Sequence, residues 1–449
     1  MDTSVTNPGI VSDDAFGVSG GFTPDDRFAA IRERLEAPDW EPSGRAAGAA
    51  LGNIANNVAK DRDDWRLARF ERRQRSSGWL VGHARERAGF ERDGVGVRSD
   101  SADWVRPLRP ARCRWRVASA VGVHSDAEHE AAHYSGLERC ASVWSCPVCS
   151  AVIRHRRADE IGRAAAQATA FGHGQLFVTL TLRHRYSDAL TDTLDLVLNA
   201  WRRVQSWRAW RELATRIGYV GAVRATEVTL GGNGWHPHSH LLMVIEKPLT
   251  AVQLDEVQAT LSTLWARAVQ KLGGRLPTRE HGVLVKAVDD HGTTIAEYLS
   301  KVQEHQGERR ASIGVELVRG DIKAGRAGSL NPFELLDAQG EGSEAARRLW
   351  VEYVEATRGR RALSWTRGLR EYLLPDDEEQ TDDEVIEDTE QADLLAVIAA
   401  EDYDRNMKNR PEVLAAVLEA AEAGDIEMIE ALAVDHPPPE RRKPGPRFS

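Results

Sequence analysis

The chain has 449 residues, is 41% hydrophobic and 29% charged, and carries a net charge of −10. That length allows two or three domains, and no apolar run reaches the roughly 18 residues of a membrane span. The N-terminus (Met1-Asp2-Thr3-Ser4) has neither a basic region nor an apolar core, so no signal peptide is expected and the expected location is the cytoplasm. The negative total argues against a nucleic-acid partner only until its distribution is read. Between Pro375 and Glu440 lie 22 acidic residues and three basic ones, so the rest of the chain stands at +9. Only eight of the 59 basic residues are Lys; Arg suits phosphate contacts.

In chain order, residues 1–60 are rich in Gly, Ala, Ser, Asp and Asn, with one helix expected around Asp25–Leu35. Residues 61–112 are Arg-rich and can hold a helix. Residues 1–100 together read as a largely flexible N-terminal region. Residues 101–160 form a cysteine-rich segment, with a helix from about Val152 to Ala170. Leu176–Leu182 alternates Thr with apolar residues and predicts a strand. Asp188–Ile217 predicts a long helix or helix pair. Tyr219–Leu230 and His236–Ile245 predict two strands joined by the turn Gly231-Gly232-Asn233-Gly234. Leu249–Leu272 predicts a helix, Gly282–Val288 a short strand and Thr293–Gln303 a helix. The order strand, helix, strand, strand, helix, strand, helix is that of an α+β fold, an antiparallel sheet with helices packed on it. This core spans residues 171–306. A basic, irregular extension (307–374) with a helix over Glu344–Thr357 follows. Then come an acidic linker (375–391), a helical acidic C-terminal region (392–436) and a disordered tail (437–449).

The run Gly234-Trp235-His236-Pro237-His238-Ser239-His240 carries the strongest chemical signal. In a strand, side chains at i, i+2 and i+4 share a face, so His236, His238 and His240 project together, spaced to hold a divalent metal. Glu227, nine residues earlier on the partner strand, is brought near them by the hairpin, and imidazole with carboxylate is a common donor set for phosphate chemistry. On the predicted helix Ala296-Glu297-Tyr298-Leu299-Ser300-Lys301, Tyr298 and Lys301 share a face. A tyrosine there ordinarily packs in a core. A phenolate favoured by a nearby cation or metal is instead a nucleophile.

All four cysteines, Cys113, Cys140, Cys146 and Cys149, fall within 37 residues. Cys146-Pro147-Val148-Cys149 is a knuckle able to place two thiolates on one Zn²⁺, and in a cytosolic chain such clustering favours metal over disulfide. A structural Cys₄ zinc site is expected. The long gap from Cys113 to Cys140 leaves His124, His129 or His133 as alternatives to Cys113. Arg154, Arg156 and Arg157 follow directly and are candidate DNA contacts. Trp201, Trp207 and Trp210 are expected in the core.

Phe177-Val178-Thr179-Leu180-Thr181, His236-Pro237-His238-Ser239-His240 and Tyr298-Leu299-Ser300-Lys301 occur in an order that resembles the three motifs of HUH-type endonucleases, and more closely the rolling-circle replication initiators of bacterial plasmids. Arg224–Thr229 is similar to the flank of the second motif. The resemblance covers about residues 140–305. It implies the HUH core, an RRM/ferredoxin-like sheet. It also implies binding of the double-strand origin, as a single strand or hairpin at the nick site. Tyr298 would then attack the scissile phosphate to leave a covalent 5′-phosphotyrosine and a 3′-OH primer, with ends rejoined at termination. It makes His238 and His240 the core metal pair for Mg²⁺ or Mn²⁺, with Glu227 or His236 as third ligand. Lys301 would position the phosphate or assist Tyr298. Host helicase and replication proteins are implied partners.

Two features depart from the family pattern: Ser239 stands where a hydrophobic residue is expected, and there is one motif tyrosine. Glu297 is adjacent to Tyr298 and so does not share its face; Asp289 and Asp290 are no better supported as a terminating base. The same chemistry would also serve a conjugative relaxase or a single-strand transposase, and a zinc-containing DNA-binding regulator without nuclease activity is the reading from another class.

Overall fold

The computed structural model describes residues 54–87, 107–126, 131–288, 329–338, 342–387 and 392–434. Its centre is an antiparallel sheet. Strands β3 (Gly174–Leu180), β4 (Tyr219–Gly231), β5 (Gly234–Ile245) and β6 (Val283–Val288) lie in the order β6-β3-β5-β4. The short β7 (Ser329–Leu330) and β8 (Leu363–Trp365) both pair with β4.

The strand periodicity sorts side chains to two faces. Leu176, Val178, Leu180, Leu241, Met243 and Ile245 pack against helices α4 (Leu190–Ser206), α5 (Arg208–Arg216) and α6 (Ala251–Lys271) in one cluster. Val223, Ala225, Leu242 and Val244 pack on the other face against α3 (Pro147–Ala170) and α8 (Leu369–Leu373). With helices on both faces, β5 is a continuous buried run rather than an alternating one. Pro237, which lacks a donor, lies where β5 has passed the end of β3 and keeps only β4 as a neighbour.

The expected α+β class, the strands around the two motifs and the helix pair are present. Trp201 and Trp210 are in the core, 4% and 5% exposed. The predicted helix Thr293–Gln303, and with it Asp289, Asp290, Glu297, Tyr298 and Lys301, lies outside the described residues.

Several expectations need correction. Residues 54–87, within the N-terminal region expected to be largely flexible, form a helix, α1 (Ile54–Arg87), most of it in the Arg-rich stretch where a helix is allowed. It docks through buried apolar side chains, Phe70 against the small sheet and Leu80 against the main core, and through arginines. Arg72 pairs with Asp337 at 2.6 Å, Arg73 donates to the Cys113 carbonyl, and Arg75 donates to the carbonyls of Leu336 and Ala338. The described residues of the expected extension, 329–338 and 342–374, pack on the core rather than standing apart from it. The 3₁₀ turn Pro332–Asp337 and helix α7 (Gly342–Thr357) pack with Leu190, Leu194, Val228 and Trp235, and β8 extends the main sheet.

The expected all-helical C-terminal region begins with a strand, β9 (Asp393–Ala399). It joins β1 (Ala120–Asp126) and β2 (Ala131–Ser135) in a second antiparallel sheet, order β2-β1-β9. Leu- and Ala-rich, this stretch favours helix locally, and pairing with β1 overrides that preference. Helices α10 (Pro411–Glu422) and α11 (Ile426–Val434) cover the sheet.

The acidic stretch is not a simple solvated linker. It contains helix α9 (Asp382–Glu387), whose Val385 and Ile386 are buried among the four cysteines. Among the described residues, no helix is long and apolar enough to cross a membrane.

Candidate metal centres

The β4–β5 hairpin builds the first centre. Gly231 pairs with Gly234, so Gly232-Asn233 is a two-residue turn, and the register then sets Glu227 directly opposite His238 and Ala225 opposite His240. Gly234 is required there. Its φ is +83°, and a Cβ would sit 2.6 Å from the Cα of Tyr186. The Glu227 carboxylate lies 3.3 Å from His238 Nε2 and 3.7 Å from His240 Nε2. The ligand atoms of these three buried residues all fall within 4.8 Å of one another.

The outer nitrogens are committed elsewhere. His240 Nδ1 is 3.1 Å from the Thr179 hydroxyl, and His238 Nδ1 is 3.2 Å from the His236 carbonyl. The Phe177 ring stacks on His240 with centroids 5.2 Å apart. Such outer contacts fix ring orientation and leave Nε2 to face a metal. The first motif strand therefore supports the second. Thr179, which was not singled out as a site residue, is the contact that does so. The signal available for it was its place on the motif strand.

His236 shares the face but not the group. Its Nδ1 lies 2.8 Å from His184 Nε2, and His184 Nδ1 lies 3.0 Å from the Asn233 carbonyl. Burial, with His238, His184 and His240 nearby, lowers its pKa to about 3, so it is neutral. Of the two alternatives for a third ligand, Glu227 is the one that sits with His238 and His240.

The second centre is the cysteine cluster. Cys113, Cys140, Cys146 and Cys149 are buried and unbridged, with ligand sulfurs all within 4.8 Å. Three sulfur pairs are 3.6, 3.7 and 3.8 Å apart. The edge of a tetrahedron with Zn–S bonds of about 2.3 Å is about 3.8 Å, so the donors fit such an ion. Cys146 caps α3, and its sulfur accepts from the Cys149 backbone N–H. The helix N-terminus thus stabilises negative charge on the knuckle. The neighbouring thiols of Cys140, Cys146 and Cys149 hydrogen-bond to Cys113 and hold it well below the ordinary thiol range.

The long gap between Cys113 and Cys140 is spanned by the β1–β2 hairpin. Its flanks continue pairing through Arg114 and Trp115 with Glu138, which brings the two cysteines to its base. The residue after each of them is left-handed: Arg114 at φ 71° and Ala141 at φ 47°. His124 and His133 stack on each other in that hairpin, 4.9 Å apart, and do not belong to the cysteine group. His129 lies outside the described residues.

Of the three arginines expected to meet DNA, two are engaged within the protein. Arg154 is 7% exposed and bonds Ser150 Oγ and the Val143 carbonyl. Arg157 bonds Glu160, Asp382 and the Gln380 carbonyl. Arg156 is exposed. The acidic segment supplies further ion pairs, Asp383 with Arg109 and Asp377 with Arg163.

Comparison with known proteins gives a consistent picture. Residues 137–410 match the family model described as "Replication protein". A protein named "Protein rep" from Streptomyces lividans is 35% identical, over 59% of this chain and 68% of that protein. A "Neomycin resistance protein" from Streptomyces cyanogenus is 34% identical over 135 residues, 24% of this chain and 31% of that protein. No solved structure matches. The family match spans more than half of the chain and takes in both candidate metal centres but for Cys113, and on these grounds the protein belongs to the Rep_1 family of replication proteins.

Proposed function

We propose that this protein is an HUH-type initiator of rolling-circle plasmid replication, a metal-dependent nickase that cuts one strand of its origin. The observation that carries the reading is the convergence of Glu227, His238 and His240 across one hairpin, beside Thr179 of the preceding motif strand. This donor set suits a hard divalent ion such as Mg²⁺ or Mn²⁺. Held there, the ion would polarise the scissile phosphate and stabilise its developing charge.

The chain supplies the rest. Tyr298 is the nucleophile: its phenolate oxygen bonds to phosphorus as the bond to the 3′ oxygen breaks. That oxygen takes up a proton and becomes the 3′-OH primer, while the 5′ end stays on the protein as phosphotyrosine. Lys301 favours the phenolate or holds the phosphate. Reversal of the attack rejoins the ends at termination. Thr179 and the His236 carbonyl keep the two imidazoles in register. The four cysteines hold a structural Zn²⁺ that ties α3 to the small sheet. The partners are origin DNA and the host helicase and replication proteins that extend the primer.

The test is nicking of supercoiled plasmid carrying the cognate origin, with Mn²⁺. Wild type is expected to produce open circles. The variant His238→Ala/His240→Ala is expected to lose at least about 100-fold in rate, the scale of several kcal/mol of lost charge stabilisation. Full nicking by that variant would remove the metal centre from the mechanism.

A further inference from the structure

The face of the sheet opposite the histidines carries a surface that the cleavage chemistry does not use. Between Asn199 and Ile217 there are five arginines and one carboxylate, and that carboxylate, Glu212, is bonded to Arg208. Arg202, Arg203, Arg211 and Arg216 are exposed, and no carboxylate among the described residues forms an ion pair with them; Asp195, the carboxylate near Arg202, is engaged by Arg360. The second half of the neighbouring helix α6 adds Arg267 and Lys271, both exposed, with no acidic residue from Val257 to Gly274. Arg267 lies over the Trp207 ring at 5.2 Å, which fixes its guanidinium at the join of the helices.

A second observation points to an anion. Arg224, on β4 and facing the same helices, has a buried Nε with no hydrogen-bond partner among the described residues. Burial lowers its pKa, and the positive charge of Arg202 lowers it further. Arg202 and Arg224 are like charges set close together, and the nearby Asp195 carboxylate is held by Arg360, so a bound anion would offset their mutual repulsion. In a chain with a surplus of carboxylates elsewhere, this concentration of uncompensated charge is local.

Among the described residues, this surface has no exposed aromatic stacking platform. Trp201 and Trp210 are core residues and Trp207 is covered by Arg267. Recognition of splayed single-stranded bases needs exposed aromatics, whereas a phosphate backbone needs only cations. Arg216 lies just before β4, whose first residue, Tyr219, is eight positions from Glu227. At about 3.3 Å per residue that is roughly 26 Å, or about eight base pairs of rise.

We propose that the α4–α5–α6 arginine surface, with Arg202, Arg203, Arg211, Arg216 and Arg224 at its centre, is a docking site for the phosphate backbone of double-stranded DNA, separate from the cleavage centre. The proposal rests on the reading above that this protein acts on DNA. It places duplex capture on one face of the sheet and strand cleavage on the other, so that one does not compete with the other.

The test uses the full-length protein carrying Arg203→Glu/Arg211→Glu/Arg216→Glu. Binding to a labelled duplex and to a single strand of the same length is measured by anisotropy between about 50 and 200 mM salt. Cleavage of the single strand with Mn²⁺ is measured in parallel. Because the substituted side chains are exposed, the melting temperature is expected to stay at the wild-type value. Duplex affinity is expected to fall at least about 10-fold, and the slope of log affinity against log salt to shrink by roughly 3, the release expected from three lost phosphate contacts. Single-strand cleavage is expected to stay within about two-fold of wild type. Unchanged duplex affinity and slope overturn the proposal, and so does an equal loss on duplex and single strand. If the wild type cleaves nothing while the duplex slope still shrinks, the nickase reading fails and the duplex surface stands. Arg224→Gln gives an independent check and is expected to weaken duplex binding in the same direction.

Discussion

Glu227 and His238 occupy directly opposed positions on β4 and β5, with the carboxylate 3.3 Å from Nε2. This relationship follows from one local fact, that the chain between the strands turns in two residues. Once Gly231 pairs with Gly234, every further pair is fixed, and Glu227 meets His238 rather than His236. His236, opposite Thr229, turns to His184 instead.

The support of His240 is open to a direct check. Thr179→Val keeps the shape of the side chain and removes the hydroxyl 3.1 Å from Nδ1. Mn²⁺ affinity, read by calorimetry, is expected to fall roughly 10-fold, as for outer partners of metal-bound histidines. Thr179→Ser should restore it. Equal affinities for wild type and Thr179→Val would show that the hydroxyl does not orient the ring.

The cysteine cluster and the acidic segment are expected to act together. Val385 and Ile386 pack on the four cysteines, while Asp382 and Asp383 pair with Arg157 and Arg109. Cys146→Ser/Cys149→Ser is expected to lose bound zinc by elemental analysis and to become sensitive to limited proteolysis within residues 376–387. Zinc retained by this variant would contradict the assignment of the cluster, and unchanged proteolysis would separate the segment from it.

Backbone conformation at the cluster gives a stability prediction. Ala141 is held at φ 47°, where a Cβ is disfavoured by roughly 1–2 kcal/mol. Ala141→Gly is expected to raise stability by about 1 kcal/mol, seen as a higher denaturant midpoint at unchanged slope. A lower midpoint would mean that the Ala141 methyl packs usefully enough to outweigh its strain.

His133 sets a pH dependence. Burial, aided by the charge of Arg139, lowers its pKa from 6.5 to about 4. Between those values the unfolded chain takes up a proton that the folded chain does not. Its stabilising contribution is thus complete above about pH 6.5 and declines as pH falls toward 4. The melting temperature should drop from pH 7 to pH 5 by less in His133→Asn than in wild type. Equal drops would exclude His133 as a source.

How much of this was legible in the sequence depends on what holds each element. The hairpin was legible because strand periodicity and a Gly-rich turn are local signals, and they carry Glu227, His238 and His240 together. The cysteine cluster was legible as a set, but not how Cys113 reaches Cys140. The β1–β2 hairpin between them is short and poor in β-branched residues, with Val121 and Val123 the only ones among its strand residues. A helix over residues 61–112 was legible, but not its docking, because Arg72, Arg73 and Arg75, which anchor it beside Phe70 and Leu80, resemble a solvated face in sequence. β9 was misread because Asp393–Ala399 favours helix locally, and its strand form depends on a partner nearly 280 residues earlier, as in the pairing of Ala120 with Ala399.

The most direct test of the central claim is to find where DNA becomes attached. Wild-type protein is incubated with Mn²⁺ and an origin oligonucleotide, digested, and sequenced by mass spectrometry. The account predicts one modified peptide, with the 5′ phosphate of the cleaved strand on Tyr298, and no adduct in Tyr298→Phe. An adduct on another residue, or one that persists in Tyr298→Phe, would contradict it.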